Sequence, residues 1–177
     1  MPELLLPTAR LHASWLAARA EWPAGAHQDG TGLRLAADLD LDTPEDFAAW
    51  VELLLVQSDR TLPLPEGAVH ATHWWIVEDD EYLGAIDLRH YVNQFLYDRG
   101  GHIGYSVRPS ARGRGVATWA LGAVLPRAQE LSLRRVLLTC DEGNVASART
   151  IEAHDGVLED VRPISPRVKK RRYWIAL

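Results

Sequence analysis

The stretch that decides the fold is His102-Ile103-Gly104-Tyr105-Ser106-Val107-Arg108-Pro109-Ser110-Ala111-Arg112-Gly113-Arg114-Gly115-Val116-Ala117. It reads as a strand, His102 to Val107, stopped by Pro109. A loop with glycine at 113 and 115 follows, then a helix from Gly115 to about Leu131. The N–H groups that open a helix have no partner inside it and carry partial positive charge, so they gather anions. Glycines let a backbone approach a phosphate closely and adopt positive φ. Arg112 and Arg114 add charge within reach of phosphate oxygens. An ordinary strand–helix turn with a solvated arginine pair would account for the same residues. A P-loop would not, because no Gly-Lys-Ser/Thr follows. A dinucleotide fingerprint lacks its third glycine and its acid after the next strand.

Working outward, His70 to Glu78 and Tyr82 to His90 read as two strands joined at Asp79-Asp80, a hairpin. Tyr91 to Gly101 is a longer connection. Downstream come a strand at Arg135 to Cys140 and a helix at Val145 to His154 ending at Asp155-Gly156. Strands at Val157 to Val161 and Val168 to Leu177 finish the chain. Upstream, Thr8 to Ala20 has helical spacing with Thr8 as N-cap. Trp22 to Gly32 is a loop rich in glycine and proline. Thr43-Pro44-Glu45-Asp46 opens a second helix running to about Gln57, with Thr43 as cap, Pro44 at the first position and acids in the first turn. A short strand is bracketed between the two helices. Hairpins followed by βαβ-like crossovers imply an α/β fold with a mixed sheet and helices packed on it.

The whole chain has 177 residues, 47% hydrophobic and 24% charged. That suits a single domain, 1–177, with a helical part at 1–65 and the core motifs at 66–177. One cysteine, Cys140, excludes a disulfide framework and a multi-cysteine zinc site, and no metal is expected. Cys140 ends a buried strand and reads as an inert core residue. There are 19 basic and 24 acidic residues, net charge −5, which argues against a nucleic-acid binder held by bulk charge. The basic cluster Arg167 to Arg172 reads as a guarded strand edge. No run of 18 apolar residues occurs and Met1-Pro2-Glu3 is acidic, so neither a membrane span nor a signal peptide is expected. The expected place is the cytoplasm, as a monomer or homodimer. The seven tryptophans suit either a core or a pocket.

Arg112-Gly113-Arg114-Gly115-Val116-Ala117 resembles the Arg/Gln-x-x-Gly-x-Gly/Ala motif of the GNAT N-acetyltransferase superfamily, and Val107-Arg108-Pro109 resembles its strand end. Asn144-Val145-Ala146-Ser147 resembles the family's Asn-x-x-Ser/Ala, and Ile151 to Gly156 imperfectly resembles its Tyr-Glu-Lys-x-Gly-Phe. The likeness covers residues 70 to 177 and points to a bacterial branch of such acetyltransferases. It implies a mostly antiparallel central sheet, flanked by helices, that splays between strands four and five. Acetyl-CoA would lie in the gap as co-substrate. Its pantetheine would bond to the backbone of Ser106 and Val107. Its pyrophosphate would lie against Arg112, Gly113, Arg114, Gly115, Val116, Ala117 and Thr118. Asn144 and Ser147 would approach the thioester end.

The acceptor implied is a small-molecule or peptide amine, which must lose a proton before it attacks. His102, at the start of the fourth strand, is the expected base, since some family members place an acid or histidine there. Alternation puts it on one face with Gly104 and Ser106, and puts Tyr105 on the other. Asp87, Arg89 and His90 are the expected acceptor-binding residues, Arg89 as a bidentate carboxylate ligand. Many family members carry a tyrosine seven residues after the asparagine to protonate the leaving thiolate. Here that residue is Ile151, and Tyr173 is the expected substitute. The rival reading on the same fold is a non-catalytic acyl-CoA-binding regulator. A nucleic-acid module using the basic tail is a weaker third.

Overall fold

A computed structural model describes all 177 residues. Seven strands and five α-helices follow one another as β1 (Glu3–Leu5), α1 (His12–Ala20), α2 (Pro44–Val56), β2 (Ala71–Glu78), β3 (Glu81–Arg89), α3 (Gln94–Arg99), β4 (Ile103–Val107), α4 (Val116–Glu130), β5 (Arg135–Asp141), α5 (Val145–Glu152), β6 (Val157–Ser165) and β7 (Val168–Ala176). The strands form two sheets, ordered β1-β2-β3-β4 and β5-β7-β6. Every strand pair within them is antiparallel, so the crossovers do not produce the parallel neighbours that a mixed sheet would have. No helix is long and apolar enough to cross a membrane.

Local chemistry explains most of these boundaries. Asp79 and Asp80 have φ of 49° and 62°, the two left-handed residues of the tight turn that suits twisted hairpin strands. Thr43 Oγ1 accepts the N–H of Asp46 at 3.2 Å, with Pro44 at the first position of α2. Thr8 caps a 3-10 turn, Ala9–Leu11, rather than α1, which starts one turn later at His12. The bracketed strand between α1 and α2 is a second 3-10 turn, Leu33–Ala36. The additional strand lies instead at the N-terminus, where Glu3–Leu5 pairs with Trp75–Val77. The connection after β3 contains α3, capped by Asn93.

Two hydrophobic clusters sit on opposite faces of the first sheet. Ile76 packs with Leu121 and Val124 of α4, Ile151 of α5 and Tyr173 of β7. Its neighbours in β2, Trp75 and Val77, pack with Trp15, Phe47 and Trp50 of α1 and α2, as period-two alternation requires. The Phe47, Trp50 and Trp75 rings lie 5.6 to 6.1 Å apart, and removing either fully buried indole would cost about 3–5 kcal/mol. Arg108 fastens the N-terminal helices to the rest. It is buried, bonds Glu21 and Glu81, and donates to the Tyr82 carbonyl. Glu21 in turn accepts from the Ser110 N–H and hydroxyl, and Arg108 beside it holds its carboxyl down at about 2.

The sheets meet at one point. Gly101 bridges to Leu138, the His102 N–H donates to the Leu137 carbonyl, and the Leu137 N–H donates to His102 Nδ1 at 2.9 Å. Beyond that junction β4 and β5 separate.

Candidate active site

The gap between β4 and β5 is a cleft of about 610 Å³. One end is the β4–α4 loop. Gly113 and Gly115 have φ of 75° and 78°, which side-chain-bearing residues adopt only at a cost. Gly115 is the N-cap of α4 and offers no side-chain bond, so the first helical bond is Trp119 N–H to the Gly115 carbonyl. The six N–H groups from Gly113 to Thr118 make no hydrogen bond within the protein. Gly113, Gly115, Val116, Ala117 and Thr118 all line the cleft. Such a run of unpaired donors at a helix start can hold an anion. Arg112 also lines it, with Nε donating to the Val107 carbonyl at 3.1 Å and its guanidinium over the Trp22 ring at 4.6 Å. Arg114 departs from expectation: it is not a lining residue, and its guanidinium pairs with Glu78.

The cleft's walls are Ile103–Val107 on one side and Thr139, Cys140 and Asp141 on the other, with Asn144, Ser147 and Thr150 of the α5 segment below. Antiparallel pairing sends the His102 carbonyl, the backbone groups of Ser106 and the Arg108 N–H toward β3. Alternation leaves those of Ile103, Tyr105 and Val107 facing the cleft. The backbone donors and acceptors on that edge are thus those of Tyr105 and Val107, not of Ser106. Asn144 caps α5 by accepting the Ser147 N–H at 3.1 Å. The Ser147 hydroxyl bonds the Tyr105 hydroxyl at 2.8 Å. Burial pushes Tyr105 up to about 12, so it stays protonated. Burial also raises the Cys140 thiol, which keeps it a poor nucleophile.

A family model of the acetyltransferase (GNAT) domain matches residues 39–155, well over half of the chain. This protein belongs to the GNAT acetyltransferase family. Its enzymes take the acetyl group from acetyl-CoA. Solved structures of GNAT acetyltransferases share the fold along the whole length. RimL, the ribosomal L7/L12 alpha-N-protein acetyltransferase, was solved with coenzyme A in disulfide linkage to a cysteine. It is 16% identical, with 99% of this chain and 94% of that one covered at a TM-score of 0.71. MccE, the microcin C7 self-immunity acetyltransferase, solved with acetyl-CoA and AMP, is 14% identical, covering 99% and 92% at 0.67. A Salmonella typhimurium acetyltransferase that modifies the N-terminal serine of L7/L12 is 18% identical, covering 99% and 95% at 0.65. No curated protein matches the chain in sequence.

Set on this GNAT fold, several residues expected at the chemistry lie elsewhere. His102 is buried at the junction of the sheets, outside the cleft lining, with Nδ1 occupied by the Leu137 N–H. Burial, with Arg89 and Arg135 nearby, lowers it to about 4, so it is too weak a base for an amine. Tyr173 is in the core and donates to Glu152 at 3.0 Å. Arg89 is buried too: it pairs with Asp87 at 3.2 Å and donates to the Gly100 and Gly101 carbonyls. Asp87 accepts the Gly104 N–H at 2.8 Å. His90 bonds Thr72 at 2.9 Å, just past the end of β3. Tyr173 packs in the core, the other four brace the ends of β3 and β4, and none of the five lines the gap. The cleft instead takes in Trp22, His27 and Asp29 from the loop after α1, and Lys170 from β7.

Proposed function

We propose that the whole chain, 1–177, acts as one enzyme that moves the acetyl group of acetyl-CoA to a primary amine by direct attack within a ternary complex. The observation that carries this is the row of unpaired N–H groups, those of Gly113 and of Gly115 to Thr118, whose residues line one end of the cleft. The pyrophosphate of acetyl-CoA rests on that row. The pantetheine follows the β4 edge, its amides meeting the backbone of Tyr105 and Val107. The thioester then lies beside Tyr105, Ser147 and Cys140. This chain's single cysteine lines the cleft there.

The acceptor ammonium first gives up a proton. The free amine attacks the thioester carbonyl carbon, the C–N bond forms, and the C–S bond breaks with its electron pair going to sulfur. The nitrogen's second proton balances the one that sulfur takes. The Tyr105 and Ser147 hydroxyls, bonded to each other and to nothing charged, supply the sulfur's proton in place of the tyrosine that Ile151 displaces. No covalent enzyme intermediate is involved.

The test is thiol release from acetyl-CoA with a panel of amines: a peptide N-terminus, a lysine amide, spermidine, an aminoglycoside and an aminoacyl nucleotide. Amine-dependent release supports the reading. Tight acetyl-CoA binding with no release from any amine would support the acyl-CoA-binding regulator instead.

A further inference from the structure

The segment that follows α1 lines the cleft, from Trp22 beside Arg112 to Asp29 beside the start of β4. Gly30 fastens this segment to β4: φ is +77°, and a Cβ there would lie 2.3 Å from the Gly104 carbonyl oxygen. Only glycine permits that approach. It places Asp29 and His27 on the cleft wall, where both are lining residues. His27 Nε2 is 3.4 Å from Asp29 Oδ1, and the same oxygen is 3.6 Å from Arg89 Nη2. Arg89 is itself immobilised by Asp87 and the Gly100 and Gly101 carbonyls. The arrangement is an exposed imidazole next to a carboxylate that a buried guanidinium holds in place.

We propose that His27 and Asp29 form the acceptor side of the active site, Asp29 holding the ammonium group of an acceptor α-amine and His27 accepting the proton that must leave it. This rests on the acetyltransferase reading above. The ammonium loses one proton to the neutral imidazole, which passes it to water. The amine attacks, and the second nitrogen proton replaces the hydroxyl proton that Tyr105 and Ser147 deliver to sulfur. An ordinary histidine near ~6.5 lies within about 20–30-fold of an α-amine near ~7.7–8.0, but about ten-thousandfold from a lysine amine near ~10.4. The pair therefore matches an α-amine.

The charged groups facing His27 are Asp29 on its own loop, Lys170 from β7 and Arg34 from the 3-10 turn. Those facing Asp29 are His27, Arg89 and Lys170. Asp29 outweighs the cations at His27 and raises it, while His27 and Arg89 hold Asp29 low. The neutral, proton-accepting form of His27 accordingly appears above the usual histidine range.

The experiment uses the full chain, acetyl-CoA and a short peptide carrying a free N-terminal serine and one internal lysine, with the acetylated amine located by mass spectrometry. The expected product is acetylated at the N-terminus. His27→Gln, at a side chain 79% exposed, is expected to lower kcat/KM about 100-fold or more, delete the histidine ionisation from the pH profile, and leave acetyl-CoA affinity and Tm unchanged. Asp29→Asn is expected to raise the peptide KM and move that ionisation to lower pH. Peptide turnover by His27→Gln within threefold of wild type, with its pH profile intact, would overturn the proposal. So would acetylation confined to the lysine, or no acetylation of this peptide while other amines of the panel react. Failure of every amine would overturn the acetyltransferase reading as well.

Discussion

The hydroxyl of Tyr105, on β4, lies 2.8 Å from the hydroxyl of Ser147 in the first turn of α5, so a pair of protic groups links one wall of the cleft to the helix below it. A phenol held near 12 by burial stays protonated at every working pH. Tyr105→Phe should lower kcat about 100-fold, as loss of a general acid does, with acetyl-CoA affinity near wild type. Steady-state kinetics with a calorimetric titration checks this, and an unchanged kcat would mean that thiolate leaves unassisted.

His102 should prove structural. With Nδ1 accepting the Leu137 N–H in a buried site, His102→Ala orphans that donor and should cost about 1–3 kcal/mol, leaving the ionisations of the kcat/KM profile in place. Chemical denaturation and a pH–rate profile read the two effects separately.

The same residue makes stability fall in acid. Its folded pKa, about 4, is below the ordinary histidine value, so between pH 6.5 and 4 the unfolded chain binds the extra proton. The stabilising contribution is complete above pH 6.5 and is lost as pH falls toward 4, roughly 3 kcal/mol over the full range. Denaturation midpoints from pH 7 to 4.5 should drop more steeply in wild type than in His102→Gln. Parallel curves would contradict this.

Arg89 gives a sharper contrast. Its guanidinium is bound to Asp87 and to two carbonyls, so Arg89→Gln leaves a buried carboxylate without its cation and should destabilise the fold by about 3–5 kcal/mol. Equilibrium denaturation is the measurement. Wild-type stability with a raised acceptor KM would restore the idea that Arg89 reads an acceptor carboxylate.

How legible this was depended on how local the signal is. Thr43 and Pro44 announce α2, and Asp79-Asp80 announces the hairpin, because caps and turns are made by adjacent residues. Gly113 and Gly115 announce the left-handed turn that opens α4 for the same reason. Glu3–Leu5 is too short to show a period, and α3, six residues long, depends on its Asn93 cap. Alternation along β4 correctly separated His102 from Tyr105, but it does not tell which face meets the cleft. That is decided by where β5 separates from β4, and the gap there is lined by all of Ile103–Val107. His27 and Asp29 lie in a segment with no periodicity, and they reach the site only through the Gly30–Gly104 contact, which no local pattern encodes.

Calorimetric titration of Gly115→Asp against Gly115→Asn shows whether the N–H row at the start of α4 binds acetyl-CoA. Both side chains tolerate the left-handed backbone at this position, where φ is 78° and no protein atom lies within 4 Å of a Cβ. They differ by one negative charge set against the pyrophosphate. The account predicts that wild type binds acetyl-CoA, that Gly115→Asn binds it more weakly, and that Gly115→Asp does not bind measurably at equal Tm. Equal affinity for the Asp and Asn variants, or no binding by wild type, would contradict it.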